Sequence, residues 1–204
     1  MTMKIIGSVT SPFTRFVRVT CEELSLSYEF EITPPFSKLT KDQENLINTH
    51  NPLMRVPILV DGETEIMDSR IIVQHLIKKY GKKDGFGAGF PAQPPDENIL
   101  TVILGTVDAG ILRFMLGASN KEINADAGYM ARSRERMRHG FEWLERQSSL
   151  GREFGIPETM LICGLEWFKK RDIYDWNVFL NIVKTYKSHC DRPSLVKTRI
   201  PEAI

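Results

Sequence analysis

The sequence predicts two unlike halves in one chain of 204 residues, an α/β module with a mixed sheet and then an all-α domain. Three observations carry this. Residues 1–80 alternate short strand signals with helical ones. The stretch 81–96 holds Gly81, Gly85, Gly87, Gly89, Pro91, Pro94 and Pro95, a composition that resists regular structure. Beyond it, apolar residues recur at helical spacing and nothing else.

Each element has its own signal. Lys4-Ile5-Ile6-Gly7 is a short apolar run ending in turn chemistry, hence a strand. Phe13, Phe16, Val17, Cys21 and Leu24 fall on one helix face. Tyr28-Glu29-Phe30-Glu31-Ile32 alternates apolar and acidic, which predicts a half-buried strand with its acids outward. Thr33 to Asn51 is polar, contains Pro34-Pro35 and has only weak helical periodicity, so it reads as a loop. Pro57-Ile58-Leu59-Val60 is a strand, Asp61-Gly62 its turn and Glu65-Ile66-Met67 the return. A helix runs from Ser69 to Tyr80 with Ile72, Val73, Leu76 and Ile77 as its stripe. Asp68 or Ser69 caps it, and Gly81 stops it.

The expected division is therefore 1–80 for the α/β domain, 81–96 for a linker and 97–204 for the helical domain. Four stripes fill the last part. They are Leu100 to Phe114, Met130 to Leu144, Leu161 to Phe168, and Trp176 to Tyr186.

Composition narrows the function classes. Hydrophobic content of 42% and charged content of 26% suit a globular chain that buries a core without disulfides or metals. A net charge of +1 calls for neither nucleic acid nor an anionic membrane. Cys21, Cys163 and Cys190 are scattered and form no Cys-x-x-Cys pair, which fits a reducing compartment. His50, His75, His139 and His189 form no ligand cluster, so no metal is expected. The start of the chain lacks a secretory signal, and Asp108 and Arg113 interrupt its most apolar stretch, Ile99 to Leu116. A cytoplasmic protein is the expectation.

The chemistry concentrates in a split motif, Arg55-Val56-Pro57 and then Asp68-Ser69-Arg70. A strand entered through a proline, followed by an acid-hydroxyl pair opening a helix, makes a compact site for a peptide-like ligand. Backbone groups beside Pro57 can pair with an extended ligand, and the helix start at Asp68-Ser69 can hold a carboxylate. Ser11-Pro12-Phe13 stands at the mouth of the first helix, where a reacting thiol could be held. Taken singly, Ser11-Pro12 and Asp68-Ser69 are also ordinary helix caps. The alternating Arg132, Arg134, Arg136 and Arg138 spread around a helix and read as solvated surface.

The pattern resembles the cytosolic glutathione transferase family. The residues that carry it are Ser11-Pro12-Phe13-Thr14-Arg15, Asn51-Pro52, Arg55-Val56-Pro57-Ile58-Leu59, Asp68-Ser69-Arg70-Ile71-Ile72 up to Tyr80, and Arg192-Pro193-Ser194. The resemblance covers nearly the whole chain and implies a thioredoxin-like N-terminal domain with a mixed four-stranded sheet, followed by an all-α C-terminal domain. It implies that Pro57 is cis and that Val56 pairs its backbone with the cysteinyl part of glutathione. It implies that Asp68 and Ser69 bind the γ-glutamyl end, and it gives Lys38 the glycyl carboxylate.

Ser11 then takes the catalytic role, donating a hydrogen bond that stabilises the thiolate. An ordinary thiol of pKa about 8.5 is mostly protonated at neutral pH, so such help is needed. Thr10 and Thr14 compete for that contact. Serine at position 11 cannot form a mixed disulfide, which disfavours glutaredoxin-like chemistry. The implied reaction is attack of glutathione, as co-substrate, on a small electrophilic, apolar acceptor by a cytoplasmic homodimer. The alternative is a non-catalytic binding or regulatory module of the same fold. One departure stands out: the buried helix of the second domain begins Gly155-Ile156-Pro157-Glu158, where the family has Ser/Thr-x-x-Asp.

Overall fold

The computed structural model describes residues 3–35, 38–119 and 128–202, with backbone alone at 118 and 119. The chain divides into two compact units, Met1–Pro91 with Arg192–Ile204, and Ala92–Asp191.

The first unit begins with β1 (Lys4–Gly7) and α1 (Pro12–Glu23), followed by β2 (Glu29–Ile32) and α2 (Lys41–His50). The hairpin β3 (Ile58–Asp61) and β4 (Thr64–Met67) then leads into α3 (Ser69–Tyr80). The four strands form one sheet in the order β2-β1-β3-β4. β1 runs parallel to β2, and β3 is antiparallel to both β1 and β4, so the sheet is mixed. Parallel β1 and β2 require a crossover, which α1 supplies. This is the thioredoxin-like arrangement that the motifs imply. Ile5 and Ile6, Phe16 and Val17, Ile58 and Leu59, and Ile72, Val73 and Leu76 are all fully buried. Each such side chain contributes about 1.5–3 kcal/mol of hydrophobic stabilisation.

Two local expectations need correction. The stretch read as a loop contains α2, although Ile47 is its one buried residue. Its start is fixed by a capping box rather than an apolar stripe. Thr40 Oγ1 accepts from Gln43 N–H at 3.3 Å, and Gln43 Oε1 accepts from Thr40 N–H at 2.9 Å. In β2 the apolar side is not uniformly covered: Phe30 lies under the Arg18 guanidinium at 4.3 Å, while Ile32 is 59% exposed. β2 is an edge strand, so alternation overstates its burial.

The second unit is built from α4 (Pro94–Ser119), α5 (Gly128–Glu145), α6 (Ile156–Arg171) and α7 (Leu180–His189). Asp108 and Arg113 do not break α4, which by length and composition alone would suffice to cross a membrane. Its Ile99, Leu100, Ile103, Val107 and Ala109 are buried, and α4 packs on α5 and α6. Gly155 offers α6 no side-chain cap. Glu158 takes over, its carboxylate accepting from Gly155 N–H at 3.1 Å and Gly151 N–H at 2.9 Å. Glu145, the last residue of α5, caps α7 by accepting from Asn181 N–H and Ile182 N–H at 2.9 and 3.1 Å. Trp176 precedes α7 rather than lying on it, and is held by Nε1–H donating to Leu165 O at 3.0 Å.

The chain returns to the first unit as α8 (Pro193–Lys197), which lies on α1. Arg15, 1% exposed, donates to Leu195 O at 3.0 Å. Arg192 grips Glu23 at 2.7 and 3.1 Å, and Lys197 meets Glu22 at 2.7 Å. Two carboxylates at a helix C-terminus oppose its dipole, and these cations offset that.

Candidate functional site

Register decides which motifs meet. Ile6 pairs with Ile58, and Ile58 with Met67, so one end of the sheet collects three chain segments. They are the loop leaving β1 toward Ser11, the Val56-Pro57 approach to β3, and the Asp68-Ser69 exit from β4. β2 ends at the same edge, Gly7 pairing with Ile32, and Lys38 follows it. Ser11, Val56, Asp68 and Ser69 are brought together from positions up to 58 apart in sequence. Lys38 is exposed, and its ammonium has no partner among the described residues.

Ser11 is the N-cap of α1, with extended backbone, and its Oγ accepts from Thr14 N–H at 3.2 Å. Pro12 at the first helical position has no N–H to satisfy. Two donors remain without partners among the described residues, the Ser11 hydroxyl proton and Phe13 N–H. The competing hydroxyls are placed differently. Thr10 is 8% exposed and bonded to Ser8 Oγ at 3.0 Å. Thr14 is fully buried, with Oγ1 lacking a partner and packed against Gly7, where a Cβ would stand only 2.7 Å from it.

Val56 is half-buried, and its peptide bond to Pro57 is cis, as the motif implies. Neither its N–H nor its C=O is hydrogen-bonded among the described residues. Asp68 caps α3, and its Oδ1 accepts from Arg70 N–H at 2.9 Å and Ile71 N–H at 3.4 Å. That leaves Ser69 N–H and Ser69 Oγ, 7% exposed, without a partner among the described residues. Asp68 has φ +74° and ψ 123°, a conformation costly for a residue with a side chain and found most at ligand sites.

Toward the other end of α1, burial pushes the Cys21 thiol up to about 12, so it is no nucleophile at neutral pH. A cleft of about 810 Å³ opens elsewhere in the unit, bounded by Ile66, Ile71, His75, Lys78, Phe90 and Pro91. None of Ser11, Val56, Asp68 or Ser69 lines it. Sequence reasoning gave no role to Asn51, which is buried and bonded to the loop before Val56. Its signal was there: Asn before Pro is a strong turn former.

Fold and site together define a class of protein, a thioredoxin-like unit with a cis-proline strand joined in one chain to a helical unit. Residues 5–84 match the family model of the glutathione S-transferase N-terminal domain. Over those residues the chain carries a domain of that family.

Relatives agree over the same half. A GST-like protein of Escherichia coli, YibF, is 36% identical over 75 residues, 36% of this chain and 35% of that protein. Glutathione S-transferase 4 of Zea mays is 32% identical over 90 residues, 43% of this chain and 38% of that one. The matches thus span little more than a third of the length of these curated relatives. A glutathione S-transferase of Methylobacterium radiotolerans, solved with glutathione sulfonate, superposes with a TM-score of 0.83 at 22% identity. It covers 100% of this chain and 97% of that one. A family member from Pseudomonas fluorescens with bound glutathione gives 0.83 at 21% identity, covering 98% and 100%. At such identities the likeness establishes the fold.

Proposed function

We propose that this chain is a glutathione transferase that activates the thiol of glutathione for attack on a small, largely apolar electrophile. One observation carries the reading. The polar groups left without partners among the described residues at the sheet end, Val56 N–H and C=O, Ser69 N–H and Oγ, and the Ser11 hydroxyl, match the groups of an extended γ-glutamyl tripeptide.

The division of labour follows from chemistry. Val56 pairs with the cysteinyl backbone as a strand would. Ser69 meets the γ-glutamyl carboxylate at a helix N-terminus, where amides and dipole favour an anion. The second carboxylate oxygen of Asp68 faces the ammonium, and Lys38 takes the glycyl carboxylate. Ser11 donates its proton to sulfur while its oxygen accepts from Thr14 N–H. That accepted bond polarises the hydroxyl and makes it a better donor. Phe13 N–H supplies a second donor at the same spot. A thiolate stabilised by two such donors ionises at lower pH and needs no covalent enzyme intermediate. Bound glutathione in structures of the same fold supports the choice of ligand.

The reading extends to a cytoplasmic homodimer acting in detoxification, with the three unbridged cysteines in keeping with a reducing compartment. The test is titration of glutathione into the protein by calorimetry, followed by conjugation of a generic aromatic electrophile. Binding with turnover supports the enzyme. Binding without turnover across a panel of electrophiles makes the chain a binding module, and absence of binding at millimolar ligand overturns the site.

A further inference from the structure

We propose that Asn51 is a positioning residue that aims Val56 N–H at the ligand; this rests on the reading of Val56 just given. Asn51 follows α2 and is 3% exposed. A buried amide is costly unless its groups are paired. Here all four kinds of polar group are used. Its N–H donates to Ile47 O at 2.8 Å, and its C=O accepts from Met54 N–H at 2.9 Å. Its side-chain Oδ1 accepts from Leu53 N–H at 3.0 Å, and Nδ2–H donates to Arg55 O at 2.8 Å.

The last bond is the one that matters. The carbonyl of Arg55 and the N–H of Val56 belong to one rigid peptide plane and point in opposite directions. Drawing the Arg55 carbonyl toward Asn51 therefore turns Val56 N–H away from the loop. Val56 itself packs on Ile6, Ile47 and Ile58, but apolar packing does little to hold the loop before it, since Pro52 and Arg55 are exposed and Leu53 is 71% exposed. Met54 sits at φ +54°, a conformation the Asn51 bonds help to impose. Core packing fixes the Val56 side chain, and the Asn51 bond, five residues upstream, fixes the tilt of the amide before it.

The experiment compares wild type with Asn51→Ala and Asn51→Asp. Both lose the donor to Arg55, while Asp keeps the acceptor for Leu53 N–H. Glutathione is titrated by calorimetry, and KM for glutathione and kcat at saturating glutathione are measured. Each variant is expected to bind glutathione about ten-fold more weakly, the factor that ~1.4 kcal/mol produces. KM should rise by the same factor, with kcat at saturation within about two-fold. If Asn51→Ala does not fold, Asn51→Asp decides alone. Binding equal to wild type in the folded variants overturns the proposal, as does a fall in kcat at unchanged KM. Wild type that binds no glutathione overturns the site reading and this inference together; wild-type binding with unaffected variants overturns this inference alone.

Discussion

The two helix starts of the first unit solve one problem in opposite ways. At α1, a hydroxyl caps the third helical amide and proline removes the first, so a side-chain proton and the second amide stay available. At α3, a carboxylate caps the second and third amides and leaves the first, with the serine that bears it. The difference fits the proposed ligand: a thiolate would be met by a hydroxyl and an amide, and a zwitterionic head group by a serine and an acid side by side. A cap is usually read as a stability device, yet both caps here also select which donors remain for a ligand.

Predictions test that contrast. The largest effect is expected from Ser11→Ala, which removes the proposed donor to sulfur. Turnover should fall roughly 10²-fold, the scale for a lost transition-state donor, with glutathione affinity little changed; calorimetry and kcat separate the two. Folding stability should also drop by about 1 kcal/mol from the lost cap. An unchanged kcat would move the role to Phe13 N–H. Next is Asp61, which anchors the far end of α3. Burial would raise its carboxyl, but hydrogen bonds from His75, Lys79 and Tyr80 at 2.7 to 2.8 Å together hold it at about 2. A depressed folded value contributes stability that is present above the ordinary value of 3.8 and is lost as pH falls through about 2. Asp61→Asn should therefore cost about 2 kcal/mol at pH 7, with much less difference from wild type in denaturation at the lowest pH.

Ser69→Ala mirrors Ser11→Ala. It should weaken glutathione binding about ten-fold, as expected for one charge-assisted hydrogen bond, while kcat at saturation holds. If kcat falls and affinity stays, the two helix starts have been assigned the wrong way round. The smallest effect belongs to the exposed pair Lys41–Glu44 at 3.5 Å. Lys41→Ala should shift stability by less than about 0.5 kcal/mol in urea titrations.

Most of the fold was legible because its signals are local. Ser69 to Tyr80 has cap, stripe and stop in sequence, and the structure reproduces those bounds. α2 escaped because one buried residue makes no stripe, and its start depends on the reciprocal pair Thr40 and Gln43. Ile32 misled for the converse reason: alternation describes a strand without saying which strand has a neighbour. At the candidate site, residue types were readable and their meeting was not. Nothing in the separate strings 11, 56 and 69 encodes the register that gathers them. The Asn51 bond to Arg55 was hidden for the same reason, since an amide's partners belong to the folded loop.

The return of the chain through Arg192 has a consequence in time. Glu23 lies 169 residues before its partner, so the unit made first is the last to be completed. During synthesis α1 emerges with Glu22 and Glu23 uncompensated and waits for the entire helical segment to follow. Contacts of such long span close late and slow the assembly of the region they join. A chain stopped at Asp191 should show amides of α1 exchanging with solvent faster than in the full chain, with those of α4 unaffected. Equal protection of α1 in both would mean that it folds without its clasp.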